Sequence, residues 1–228
     1  MARDARATHA GIMKANIEAF RTPGEYLSWF NELIAPRIGE DKKRALLHVG
    51  LFKLIYEEIF PTASLLKHKR LAWKDSKFRN IVGSQPYDVE IENNALKYLE
   101  VTCTDFDDSE RFRMQNLIER GHVNPSGVIL RDRKGRPVDI DEDARRTDDV
   151  IEERIDLIVK AIKKKSEKEY SYRTGLIVYF DDFSIMLREP DLLRLRDALE
   201  LTKPIWQPSF ESVFLVGPRA EVLIEMSR

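Results

Sequence analysis

Two runs of alternating residues constrain this chain more than any other feature. Tyr87-Asp88-Val89-Glu90-Ile91 and Leu96-Lys97-Tyr98-Leu99-Glu100-Val101-Thr102-Cys103 switch between apolar and polar side chains at period two. Successive strand side chains point to opposite faces, so this pattern belongs to strands. Glu92-Asn93-Asn94-Ala95 lies between the runs, and asparagine tolerates the positive φ of a tight turn. The stretch Tyr87 to Thr102 therefore predicts a β-hairpin with Asp88 on one strand and Glu100 on the other. Such a hairpin can set two carboxylates side by side. Close carboxylates repel each other unless a cation sits between them. Mg2+ (or Mn2+) is the expected ion, since Mg2+ takes hard oxygen ligands and often only one or two protein carboxylates. A third oxygen can come from the main chain beside Glu100, such as the Val101 carbonyl.

The rest of the chain alternates helical and strand signals. Ile17 to Ile34 reads as two short helices broken at Thr22-Pro23-Gly24 and ended by Pro36 and Gly39. Residues 1–12 carry little pattern and read as a loose end. Asp41 to Ile59 reads as one helix, stopped by Pro61. Ile81-Val82 reads as the end of a strand before the hairpin. A helix over 108–121 ends at Gly121, and Val128 to Ile140 forms a second, more exposed hairpin around Lys134-Gly135. Thr147 N-caps a long helix to about Tyr170. Gly175 to Phe180 is a buried strand, and Pro190 to Leu201 a helix. Val213–Val216 and Glu221–Ile224 are strands around Gly217-Pro218. This order implies an α/β (α+β) fold, a mixed central β-sheet flanked by helices. The expected division is an N-terminal helical segment, 1–40, packed on an α/β domain, 41–228.

Charge and composition exclude several classes. Lys plus Arg number 38 against 39 acidic residues, so no global basic field advertises nucleic-acid binding, although a local basic groove stays open. Cys103 is the single cysteine, which rules out an intramolecular disulfide and a multi-cysteine zinc site. Having no base partner in view, it reads as a buried structural thiol rather than a nucleophile. His9, His48, His68 and His122 show no metal-ligand spacing. There is no Gly-rich phosphate loop, nucleophile elbow or His-Glu-x-x-His pair, against NTPase, serine hydrolase and zinc protease readings. No apolar run is long enough to span a bilayer and no apolar signal core opens the chain, so a cytoplasmic protein without a membrane partner is expected. A homodimer or a protein partner is compatible with this composition.

Pro86-Tyr87-Asp88, followed by Glu100-Val101-Thr102, resembles the PD-(D/E)XK nuclease superfamily, whose hairpin carries an Asp and a Glu-X-Lys between a preceding helix and a following helix and strand. The order of elements from about Asp41 to Phe180 is similar. The resemblance implies a restriction-endonuclease-like core with extra N-terminal helices and C-terminal strands. It implies a Mg2+-dependent hydrolase of phosphodiester bonds in DNA or RNA, with Asp88 and Glu100 binding the metal. The family's lysine falls at Thr102, which cannot supply a cation, so a lysine from the following helix is the alternative source. With Ile158 at zero on that helix, Lys165 falls at about 340° and Arg154 at about 320°, both on the border of the apolar stripe. Lys165 is the first candidate and Arg154 the second. The family also often takes a metal ligand from its first helix. Glu58, at about 300° from Ile55, fits that role better than Glu57 at about 200°. His48, on the same face as Ile55, could touch the site or pack.

Each residue also has a plainer reading. Asp88 and Glu100 could be solvated strand acids, and Glu58 and Lys165 boundary residues that snorkel beside the core. Lys67 to Arg79 holds six basic residues with Trp73 and Phe78 interleaved. It could meet a phosphate backbone with stacking aromatics, or be a solvated face. Lys163-Lys164-Lys165 complements a helix C-terminus, and Asp181-Asp182 suits a turn. The rival functional readings are a catalytically inactive nuclease-fold binding or assembly module and an unrelated α+β fold with incidental acids.

Overall fold

A computed structural model of the chain describes residues 14–34, 40–104, 108–124, 127–141, 146–180, 182, 189–218 and 222–228. Helices α1 (Lys14–Ile17) and α2 (Pro23–Leu33) come first. Next are α3 (Glu40–Leu46), α4 (Leu51–Leu54), a π-helical turn (Ile55–Ile59) and α5 (Phe60–Lys69). The hairpin region supplies β1 (Lys77–Asn80), β2 (Val89–Glu92) and β3 (Tyr98–Cys103). Then follow α6 (Asp108–Arg120), β4 (Val128–Arg131), β5 (Pro137–Asp141) and α7 (Thr147–Ser166). The chain closes with β6 (Thr174–Tyr179), α8 (Glu189–Trp206), β7 (Ser212–Val216) and β8 (Leu223–Ser227).

The fold is mixed α/β. Six strands form one sheet in the order β1-β2-β3-β6-β7-β8, and β4-β5 form a separate ribbon. Strands β3, β6 and β7 run parallel, while β1-β2, β2-β3 and β7-β8 are antiparallel. The pleat divides the interior into two layers. Val89, Ile91, Leu99, Val101, Ile177, Phe214 and Val216 pack on one face against Tyr26, Phe30, Ile55, Ile59 and Leu66. Leu176, Val178, Val213 and Leu215 pack on the other against Ile151, Ile158, Ile162, Leu195 and Leu199. Strand parity therefore sends Glu100 and Thr102, between and beyond Leu99 and Val101, to the α7–α8 face.

The Tyr87–Thr102 hairpin is present as β2 and β3, with Asn93 at φ 58 in its turn. The strand before it is β1, ending at Asn80, and Ile81 N–H continues the pairing to the Asp88 carbonyl at 2.9 Å. Gly121 (φ 79) ends α6 and Gly135 (φ 77) turns the exposed ribbon, conformations that suit glycine.

Several helix expectations are corrected. Asp41 to Ile59 is not one helix: the chain breaks after Leu46, where His48 (φ 47) and Gly50 (φ 65) leave the helical region. Pro61 does not stop a helix either. It lies at the start of α5, directly after the π-helical turn. A proline has no N–H to give the Glu57 carbonyl, and that carbonyl accepts instead from Cys103 Sγ at 3.5 Å. Thr22-Pro23-Gly24 does more than interrupt: Thr22 caps α2 in a reciprocal capping box with Glu25. Thr147 is the first residue of α7 and Arg146 its N-cap, and α7 stops at Ser166 rather than near Tyr170. Helix α8 runs on to Trp206. Residues 1–12, Pro36, Gly39, Asp181 and Glu221 lie outside the described residues. No helix among the described residues is long and apolar enough to cross a membrane.

Gly175 shows how tightly the central strands are packed. A Cβ there would meet Leu96 Cδ1 at 3.0 Å, Leu99 Cδ2 at 3.1 Å and Phe214 Cε2 at 3.2 Å. Gly175→Val should therefore destabilise the protein by about 1–3 kcal/mol through overpacking, read as a lower urea midpoint with an unchanged m-value.

Candidate functional site

The site forms where β2 leaves β3. Their ladder ends at Val89–Leu99, whereas β3 runs on to Cys103 beside β6. Asp88 marks the departure. Its carbonyl accepts from Ile81 on the β1 side, while its N–H donates to the Leu99 carbonyl on the β3 side at 2.9 Å. A regular strand residue turns both groups the same way, so the main chain is bent at Asp88. The side chain fills the gap: Asp88 Oδ2 accepts the Val101 N–H at 2.8 Å. In an extended residue the carbonyl points with the N–H, which turns the Val101 carbonyl to this same side.

Glu100 is 5% exposed. A buried carboxylate needs compensation, and it comes from the helix layer. Lys165 Nζ, in the last turn of α7, makes an ion pair with Glu100 Oε1. The Tyr170 hydroxyl donates to the same oxygen at 3.4 Å. Tyr170 follows the helix and leans its ring on buried Phe210, with centroids 4.6 Å apart.

Glu58 comes from the opposite layer. The π-helical turn lies along the part of β3 that β2 has left, tied there by Cys103 Sγ and the Glu57 carbonyl. Burial raises the Glu58 carboxyl to about 8, and the charges of Asp88, Glu100 and Glu57 push in the same direction while Lys165 opposes them. Burial likewise raises Asp88 to about 7, helped by the Glu100 charge and opposed by the Val101 N–H and Lys165. The Tyr170 phenol is also raised, by burial and then by Glu100 and Asp88. Glu58, Asp88 and Glu100 thus form one electrostatic group, with Lys165 as a compensating cation.

Asp88, Glu100, Lys165 and Glu58 are thus brought together. Arg154 lies three turns before Lys165 on α7, roughly 16 Å along the axis at 1.5 Å per residue, and is not at the same level as Glu100. His48 packs instead: its ring stacks on Tyr56 at 4.8 Å, and Nδ1 lies 3.6 Å from Glu57 Oε1. Of the stacking aromatics expected in Lys67 to Arg79, Phe78 is corrected, since it is fully buried, while Trp73 is half-buried with its ring packed on Phe78 and Phe214 at the edge of the core. Tyr170 is the site residue that the sequence reading missed. It lies five positions beyond Lys165, past the end of the helix, where nothing distinguishes it from a core aromatic.

Comparison with known proteins finds no matching family model, curated protein or solved structure.

The donors suit a hard cation. They are carboxylate oxygens raised first by burial and then by one another's charge at Asp88 and Glu58, and a divalent ion would relieve the repulsive part. No group of three or more His, Cys, Asp or Glu among the described residues is arranged to hold a metal. The set on offer is two carboxylates, Asp88 and Glu100, with the Val101 carbonyl, and Glu58 acts through its charge.

The raised acids give a signed expectation. In the window between the usual carboxylate range near 4 and the folded values of about 7 and 8, the folded state holds more protons than the unfolded one. Stability should therefore fall as pH rises through that window and level off above it. Glu58→Gln should remove part of this dependence. Its Tm should exceed wild type by a few degrees at pH 9 and by little at pH 5, since about 1 kcal/mol moves Tm by about 2–4 °C at this size. Thermal melts in metal-free buffer across pH 4–9 measure both.

Proposed function

We propose that the chain is a Mg2+-dependent, nuclease-like hydrolase of phosphodiester bonds, with its active site at Asp88, Glu100 and Lys165. The observation that carries this reading is the meeting of Lys165 with Glu100 beside Asp88. Thr102 occupies the place where the resemblance to the PD-(D/E)XK superfamily expects a lysine. An ammonium from α7 on the same sheet face as Glu100 supplies the missing charge. The order α5, β1 to β3, α7 and β6 also supports it, being the element order of that superfamily with α6 and the β4–β5 ribbon inserted between β3 and α7.

Asp88, Glu100 and the Val101 carbonyl would hold the ion, with Glu58 adding negative charge nearby. A bound Mg2+ would supply Lewis-acid stabilisation of charge at the scissile phosphate. Water adds to phosphorus and gives up one proton, the P–O ester bond breaks, and the leaving alkoxide takes up one proton, so that no net proton is consumed in forming the alcohol. Lys165 places a positive charge where negative charge develops on the phosphoryl oxygens, an effect that grows in a partly buried site. The Asp88 contact with Val101 N–H keeps one carboxylate oriented before substrate arrives.

Asp88→Asn and Glu100→Gln should each lower Mg2+-dependent cleavage of DNA or RNA by at least ~100-fold, and Lys165→Met by a similar factor. Circular dichroism checks that the variants remain folded. Purified wild-type protein that cleaves neither DNA nor RNA with Mg2+ or Mn2+ would sink the enzymatic reading. It would leave the nuclease-fold binding or assembly module in its place.

A further inference from the structure

Two side-chain donors converge on one oxygen of Glu100. Lys165 Nζ and the Tyr170 hydroxyl both address Oε1. Two donors arriving at one oxygen fix the rotation of the carboxylate about its last bond, so the other oxygen is presented in a single direction. Lys165 alone would do this poorly. Its ammonium is a point charge on a flexible four-carbon stem and imposes little directional preference. A tyrosine hydroxyl on a rigid ring is directional, and this ring packs against buried Phe210.

We propose that Tyr170 is a positioning residue for the candidate metal site, holding Glu100 Oε1 so that the carboxylate offers its second oxygen to the cation in one orientation. The proposal rests on the metal-site reading of Asp88 and Glu100 and extends it to a residue outside the PD-(D/E)XK pattern. Tyr170 acts through Glu100 and touches neither the ion nor the phosphate. Outer partners that orient a ligand typically change metal affinity by about 10–100-fold when removed.

Tyr170→Phe is the discriminating variant, because it keeps the ring on Phe210 and deletes only the hydroxyl. The first measurement is made in metal-free buffer on protein labelled with 13C at the glutamate side-chain carboxyls. The Glu100 resonance is assigned by its loss in Glu100→Gln. Tyr170→Phe should shift it, and an unmoved resonance would overturn the proposal whatever the metal does. The second measurement is a calorimetric titration with Mg2+, repeated with Mn2+. Tyr170→Phe should raise the dissociation constant about 10-fold, while the Glu100→Gln/Tyr170→Phe double variant should bind no more weakly than Glu100→Gln alone. A shifted resonance with unchanged metal affinity would reduce Tyr170 to a structural contact and overturn the positioning role. Wild-type protein that binds neither ion would overturn the metal reading itself, and the positioning role with it, even if the resonance moves. Failure of the site and failure of Tyr170 are thereby separated.

Discussion

A single buried carboxylate organises the centre of this protein. Glu100 lies on β3, an interior strand with β2 on one side and β6 on the other, and parity turns it into the α7–α8 layer. An unpaired charge there would be costly, and removing one partner from such a pair leaves that cost exposed. The end of α7 is therefore tied to β3 through Lys165, and the segment after the helix through Tyr170. The packing of α7 and the departure of β2 from β3 decide what surrounds this group.

The second constraint is a helix that is not regular. Pro61 withholds an N–H, the turn before it becomes π-helical, and the freed Glu57 carbonyl meets Cys103. Single-turn π segments often accompany functional sites because they re-aim side chains that an α-helix would place elsewhere. Here the segment carries Glu58 against the uncovered part of β3. The outcome is three carboxylates sharing one lysine, and burial together with their mutual charge leaves Asp88 and Glu58 protonated more readily than isolated acids. Such a group is relieved by a proton or by a cation. That physical need is what the proposed metal would meet.

Much of the fold was legible because it follows from period and turn chemistry. The β2–β3 hairpin, the buried β6, the ribbon around Gly135 and the Gly121 stop each had a local signal, and each is present. The misreadings were also local in origin. The apolar spacing from Asp41 to Ile59 continued across His48 and Gly50, so periodicity alone could not reveal the break. Pro61 resembles a stop signal, yet here the chain continues helically past it, and the Glu57 carbonyl that lacks its N–H accepts from Cys103 Sγ instead. Trp73 and Phe78 sit among basic residues, which suggested a surface. The packing of Trp73 on Phe78 and on Phe214 depends on where β7 lies, far away in sequence.

By itself, the sequence determined that Asp88 and Glu100 sit on the two strands of one hairpin, each on the opposite side of its strand from its apolar neighbour Val89 or Leu99, and that Lys165 borders the apolar stripe of its helix. These are consequences of backbone period and need no tertiary information. Only the tertiary structure decided that α7 crosses the sheet with its last turn over β3, that Tyr170 reaches the same oxygen as Lys165, and that Glu58 arrives from the opposite layer. Those contacts join positions up to 70 residues apart. They depend on helix packing and on the point where one strand leaves another, and neither has a signature in local sequence.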